Sequence, residues 1–237
     1  MTLPGLPSLA FLTILLLLLP WAAIRSARRL SAARAGAPGA EMPTRRRIWT
    51  STLLMQVVLL YLAWRVGSGF DFEIFALPRV GLPEAGAAAL ALAACLGLRA
   101  LIRASLSEAE RRKLMVYQLT PRTGVESALR SATVLVASVA EEAAYRGVGF
   151  SILWYMLGNG WLAAAVSATA FAVVHAVQGW KSVGWIILFA LVLQGLVVYT
   201  ETLVLAMAVH ATYDVIAGRQ IGIEARRFDA EAGQGGD

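Results

Sequence analysis

Seven apolar runs recur along the chain, at roughly 6–24, 48–66, 83–102, 125–143, 161–177, 183–199 and 202–217. Each is close to the roughly 17–25 residues that cross a hydrocarbon layer as a helix. In lipid a backbone must satisfy its own hydrogen bonds, and a helix does this within one segment. The recurrence therefore predicts an all-α, polytopic membrane helical bundle of about seven transmembrane helices. Composition agrees: 58% of the 237 residues are hydrophobic and 15% are charged, against about 45–50% and about 25% in soluble domains.

The formal net charge is +6, but the basic residues form no stripe of the kind that binds nucleic acid. They sit between apolar runs, as Lys and Arg do on the cytoplasmic flanks of membrane helices. The first run has no charge before it and Arg25, Arg28, Arg29 and Arg34 after it. That order predicts a retained span with its N-terminus outside, not a signal peptide. Alternation then places the loops at 25–47 and 99–122 inside. The 67–82 connection, where Asp71 and Glu73 offset Arg79, falls outside, and so does Glu201. Lys181 and a tail with Arg219, Arg226 and Arg227 fall inside. Residues 1–121 form an N-terminal part of three transmembrane helices with Arg-rich loops, and 219–237 read as a disordered polar cytoplasmic tail. An Ala/Arg/Gly-rich composition resembling that of high-GC bacteria points to a bacterial inner membrane. The single cysteine, Cys95, excludes an internal disulfide and a Cys-based zinc cluster, and reads as a small core or lipid-facing residue.

The stretch VASVAEEAAYRGVGF, at 136–150, places three ionisable groups in one of the most apolar regions. Each Asp, Lys or Arg at the centre of a membrane helix costs roughly 2.5–3.5 kcal/mol on insertion scales. Glu142 and Arg146 are four residues apart and can pair on one face. Glu141 is left over, rotated by about 100° from its neighbour. The chain's two histidines also fall inside apolar runs. His175 ends FAVVH, and His210 lies in AVHATYD with Asp214 one turn later. Ionisable residues inside a membrane are a functional hypothesis by default, and these occupy three separate helices.

Two chemistries use such a set. In one, Glu141, His175 and His210 hold a divalent metal, most simply zinc, whose open position takes a water and lowers its pKa. In the other, no metal takes part. Glu141, with His175, deprotonates a water while His210 and its neighbour steady the oxyanion. Either ends with water attacking a carbonyl. Two non-hydrolytic uses of the same residues are a membrane scaffold or immunity protein and a proton or ion pathway. The absence of a visible internal repeat argues against the pathway.

EEAAYR at 141–146 fits E-E-x-x-x-R, FAVVH at 171–175 fits F-x-x-x-H, and HATYD at 210–214 fits H-x-x-x-[N/D]. In this order, on successive apolar runs, they resemble the CPBP family of intramembrane proteases, the CAAX prenyl endopeptidases and their bacterial, immunity-like relatives. The resemblance covers about 122–218 and implies a four-helix catalytic core with a water-filled cavity open toward the cytoplasmic side. It implies an endopeptidase, with or without a metal, acting on a membrane-associated peptide or protein, and assigns catalytic positions to Glu141, His175, His210 and Asp214. Glu142 and Arg146 would be the supporting pair. Asp214 stands where the CAAX endopeptidases have Asn, and an ionised Asp cannot donate a hydrogen bond to an oxyanion. Prenylation of a substrate does not follow from the resemblance, and no feature specifies an oligomeric state.

One geometric difficulty accompanies this reading. Pro121, with the Thr123 to Glu126 capping pattern, starts the fourth long helix, and Glu141 lies 18 residues beyond Thr123, ~27 Å along a straight helix. His175, by contrast, lies near the cytoplasmic end of its run. The two meet only if the fourth helix starts outside the bilayer, tilts, or bends, for which Gly147 and Gly149 are the candidates.

Overall fold

The computed structural model describes residues 5–39, 41–76 and 80–234, and all the regular structure among them is helical. Helix α1 spans Leu6–Arg34, with one π-helical stretch at Ile14–Leu18. Helices α2 (Arg45–Gly67) and α3 (Leu82–Ser105) follow. Two short helices, α4 (Glu108–Arg112) and α5 (Met115–Gln118), lead into α6, which runs over 124–157. The chain ends with α7 (Gly160–Val174), α8 (Trp180–Thr200) and α9 (Leu203–Gln234). Helices α1, α2, α3 and α8 are long and apolar enough to cross a membrane. The other three apolar runs lie in α6, α7 and α9 and do not qualify on those grounds: α7 has 15 residues, and the charges of α6 and α9 lower their hydropathy. Arg79, expected to be offset by Asp71 and Glu73, lies outside the described residues.

The outer surface is apolar, with Leu82 and Trp161 about nine-tenths exposed. Apolar area on that scale is suited to lipid. Inside, α6 is the central helix. Thr133 Oγ donates to the Trp49 carbonyl (3.3 Å) and Gln56 pairs with Glu141, while Gly67 meets Val148. Rising numbers on both sides show α2 running parallel to α6. The contacts Gly160 to Trp154 and Ser167 to Tyr145 make α7 antiparallel to α6. So do Leu203 to Gly147 and His210 to Glu142 for α9.

Local chemistry fixes the helix ends. Thr123 caps α6, accepting from Glu126 N at 3.2 Å, and the Glu126 carboxylate turns back to Arg122 N at 2.7 Å. At the other end Gly158 adopts a left-handed φ of 63°, which glycine tolerates without strain, and Asn159 caps α7 through Leu162 N. The glycines at 147 and 149 do not break α6. They lie in a π-helical segment, Glu142–Gly149. A Cβ on Gly149 would stand 2.6 Å from the Ala144 carbonyl, five residues back, and one on Gly147 would stand 2.7 Å from a Leu203 methyl. The wide turn and its tight packing therefore both need glycine.

Residues 219–234, expected as a disordered tail, continue α9. The segment is polar in composition, but Ala225 and Phe228, with Ile221 beside them, pack on Tyr117 of α5. Its charges are paired as well. Glu224 accepts from Tyr117 Oη (2.5 Å) and pairs with Arg111 and Arg103 at 3.1 and 3.3 Å. Asp229 pairs with Arg122, Glu231 with Arg112, and Arg227 with Glu108. Lys181, in the first turn of α8, reaches Glu110 at 2.6 Å. Basic residues from several loops thus converge on one end of the molecule as a cap built from α4, α5 and the end of α9.

Two outcomes follow. Gly149→Ala lowers the thermal midpoint in detergent, by about 1–3 kcal/mol of overpacking, whereas Gly97→Ala, with open space around its site, does not. Equal midpoints for the two would contradict the packing described. The second concerns acid. The Lys181 ammonium, then the Ser107 backbone N–H, holds the Glu110 carboxyl down to about 2 from an ordinary 4.5, and the Arg122 guanidinium lowers Asp229. Depressed folded values mean that these contacts contribute fully above pH 4.5 and are lost as pH falls toward 2. Hydrogen exchange over 108–118, corrected for intrinsic rates, should speed up across that window. Unchanged protection there would contradict the cap.

Candidate active site

The site is built on the junction where α6 changes from α to π winding. Glu141 is the last residue of the α-helical part and Glu142 the first of the π segment. A π turn frees backbone groups and displaces side chains relative to a regular helix, which is why such turns recur at functional sites. Here Ser167 Oγ of α7 donates to the Tyr145 carbonyl at 2.7 Å within the segment, and Glu141, Glu142, Tyr145 and Arg146 are all buried.

Glu142 is fully buried, and its Oε1 serves two partners. Arg146 Nη1 lies 3.2 Å away on the same helix, and His210 Nδ1 of α9 lies 2.7 Å away. A carboxylate only accepts, so Nδ1 carries the proton. That bond aims His210 Nε2 at two further carboxylates, Glu141 Oε2 at 3.9 Å and Asp214 Oδ2 at 3.8 Å. Both are beyond direct hydrogen-bonding distance. The three groups converge on one point without closing on one another.

Phe171 of α7 is the apolar hub of the cluster. The Arg146 guanidinium lies 4.0 Å from its ring centroid, and the rings of Tyr145, His175 and His210 lie at 5.3, 4.6 and 6.3 Å. His175 is half-buried just past the end of α7. Its Nδ1 bonds the Phe171 carbonyl at 2.8 Å, which leaves Nε2 available. Glu141, Glu142, Arg146, His210 and Asp214 thus form one connected group, and His175 joins it across the Phe171 ring.

The depth difficulty is resolved by unequal helix lengths. Helix α7 stops at Val174, alongside the π segment, while α6 extends 17 residues from Glu141 back to Gly124, ~25 Å. That extension packs on α2 and α9, toward the basic cap. Glu141 is therefore deep in α6 yet level with the end of α7.

One contributor escaped the sequence reading. Gln56 of α2, buried, donates from Nε2 to Glu141 Oε1 at 2.6 Å. Its only signal was its isolation among apolar neighbours. Among the described residues seven buried side-chain polar atoms lack a hydrogen-bond partner, and five belong to Gln56, Glu142, Tyr145 and Arg146. Buried polar atoms are normally satisfied, so their concentration here sets this cluster apart from the rest of the interior. Among the described residues no group of three or more His, Cys, Asp or Glu side chains is set to hold a metal ion. The trio Glu141, His175 and His210 is not such a group, with one imidazole edge committed to Glu142 and the other histidine set apart by Phe171.

Compared with protein-family models, residues 126–216 match the one described as Type II CAAX prenyl endopeptidase Rce1-like. The chain carries an Rce1-like domain. Comparisons with curated proteins and with solved structures each gave no match. The Rce1-like domain contains all six residues singled out in the sequence, Glu141, Glu142, Arg146, His175, His210 and Asp214. Its boundaries fall within a few residues of the expected core at 122–218. It leaves out α1 to α3, and with them Gln56.

Breaking a buried ion pair from one side leaves an uncompensated charge and typically costs about 3–5 kcal/mol. Arg146→Met in the Rce1-like domain should destabilise the protein by that amount, and adding Glu142→Gln should recover part of it. Denaturation in detergent measures both; an Arg146→Met protein as stable as wild type would contradict the buried pair.

Proposed function

We propose that this protein is an intramembrane endopeptidase that hydrolyses a peptide bond of a membrane-associated protein or peptide. The observation that carries the reading is the convergence of Glu141 Oε2, His210 Nε2 and Asp214 Oδ2 on one buried point within an Rce1-like domain. A carboxylate beside an imidazole is the equipment of general-base hydrolysis.

In this mechanism Glu141 takes a proton from a water held at its free oxygen. The hydroxide oxygen adds to the carbonyl carbon of the scissile bond, and the carbonyl oxygen becomes an oxyanion. His210, when protonated at both nitrogens, donates from Nε2 in a hydrogen bond to that oxyanion. Asp214 steadies the imidazolium rather than donating, which suits an Asp at this position. The proton on Glu141 passes to the leaving nitrogen, with His175 Nε2 as partner, and the C–N bond breaks to give a carboxylate and an amine. Glu142 and Arg146 keep His210 in place. No step of this sequence calls on zinc.

The same reading places the basic cap in the cytoplasm, the N-terminus outside and seven helices across a bacterial inner membrane, with α6 and α9 projecting beyond the end of α7. The Arg and Lys residues gathered at one end support that orientation. The access route to the site then lies at the α7–α8 connection, on the cytoplasmic side.

The deciding experiment compares membrane proteomes of cells producing the wild type, Glu141→Ala or His175→Ala. Both variants should accumulate in membranes, and cleavage should fall on the order of 100-fold or more. Wild-type cleavage by either variant would end this reading.

A further inference from the structure

Gln56 and Glu141 are 85 positions apart, on helices of which only one belongs to the Rce1-like domain. We infer that Gln56 is a positioning residue: it clamps the Glu141 carboxylate so that one oxygen is held and the other faces the reaction point. The inference rests on Glu141 acting as the base.

The terminal torsion of a glutamate side chain is broad and roughly two-fold, so packing alone does not fix which oxygen points where. A directed donor does. The amide nitrogen of Gln56 must be the atom facing Glu141, because a carboxylate offers no proton for the amide oxygen to accept. The 2.6 Å bond binds Oε1, and Oε2 is left toward His210 Nε2. With its nitrogen committed, Gln56 keeps Oε1 buried and without a protein partner beside Glu141. It is a ready acceptor for one hydrogen of the water that Glu141 would deprotonate.

The supporting structure holds this amide in register. Thr133 bonds the Trp49 carbonyl two turns before Gln56, and Gly67 approaches Val148 to 3.0 Å, measured from the Cβ it lacks, three turns after. The two contacts bracket the Gln56–Glu141 pair along α2 and α6. The neighbouring Leu54, Val57 and Val58 turn outward and are about half exposed or more, so Gln56 is the polar residue of an otherwise lipid-compatible stretch that turns in. Helix α2 thereby completes a centre that the Rce1-like segment does not complete alone.

The test uses the full chain in proteoliposomes. Gln56→Met keeps the length of the side chain without the donor, and Gln56→Leu offers a second way to pack. One measurement is the antisymmetric carboxylate stretch of Glu141, isolated as the infrared difference between wild type and Glu141→Gln. The band should move in both Gln56 variants, while the thermal midpoint stays near wild type. The second measurement follows cleavage of a fluorogenic peptide carrying a membrane-inserting apolar segment. Here kcat should fall on the order of 10–100-fold, the scale of a misplaced catalytic group, with KM unchanged. An unmoved band, or wild-type kcat in either variant, would overturn the clamp. A band that moves while the wild type cuts no peptide would keep the clamp and count against the endopeptidase reading, so the two fail separately.

Discussion

The structure depends on one buried carboxylate. Glu142 has no exposed surface, and an ion in that position is tolerated only when paired and hydrogen-bonded. Arg146 on its own helix and His210 on α9 meet that need, and in doing so they decide how α6 and α9 dock. The π turn puts Glu142 and Arg146 on the face that His210 reaches. Phe171 then closes the fourth side, covering the guanidinium with its ring. The hydrogen bond that satisfies Glu142 also fixes the imidazole edge presented to Glu141 and Asp214. Structural necessity and chemical function are therefore served by the same three side chains.

Much of this was legible in the sequence because membranes make polar residues conspicuous. Glu141, Glu142, Arg146, His175 and His210 stand out against apolar neighbours, and helical spacing alone pairs Glu142 with Arg146 and His210 with Asp214. Residues joined across helices were not legible in that way. Gln56 is uncharged, and nothing in its own segment points to a partner 85 positions away. Phe171 looks like any core aromatic until its ring is found between the arginine and both histidines. The two glycines marked an irregularity correctly in place, but a widened turn and a break look the same in sequence.

The end of α9 shows a different limit. A run dense in Arg, Glu and Asp has the composition of a solvated tail, and only its partners in 103–122 make it a structural element. Those partners are basic where the tail is acidic and acidic where it is basic, a complementarity spread over two distant segments. The result is a charged cap above an apolar bundle, with the α7–α8 connection between them. It explains how a glutamate midway along a 34-residue stretch of helix lies level with a histidine at the end of a short one.

The claim that Glu142 joins α6 to α9 through His210 is tested most directly by a double-mutant cycle. The proteins are wild type, Glu142→Gln, His210→Ala and the combination, each unfolded in the same detergent. Directly bonded buried groups show coupling of about 0.5–3 kcal/mol; the account predicts a value in the upper half of that range. Additive effects, with coupling indistinguishable from zero, would contradict it.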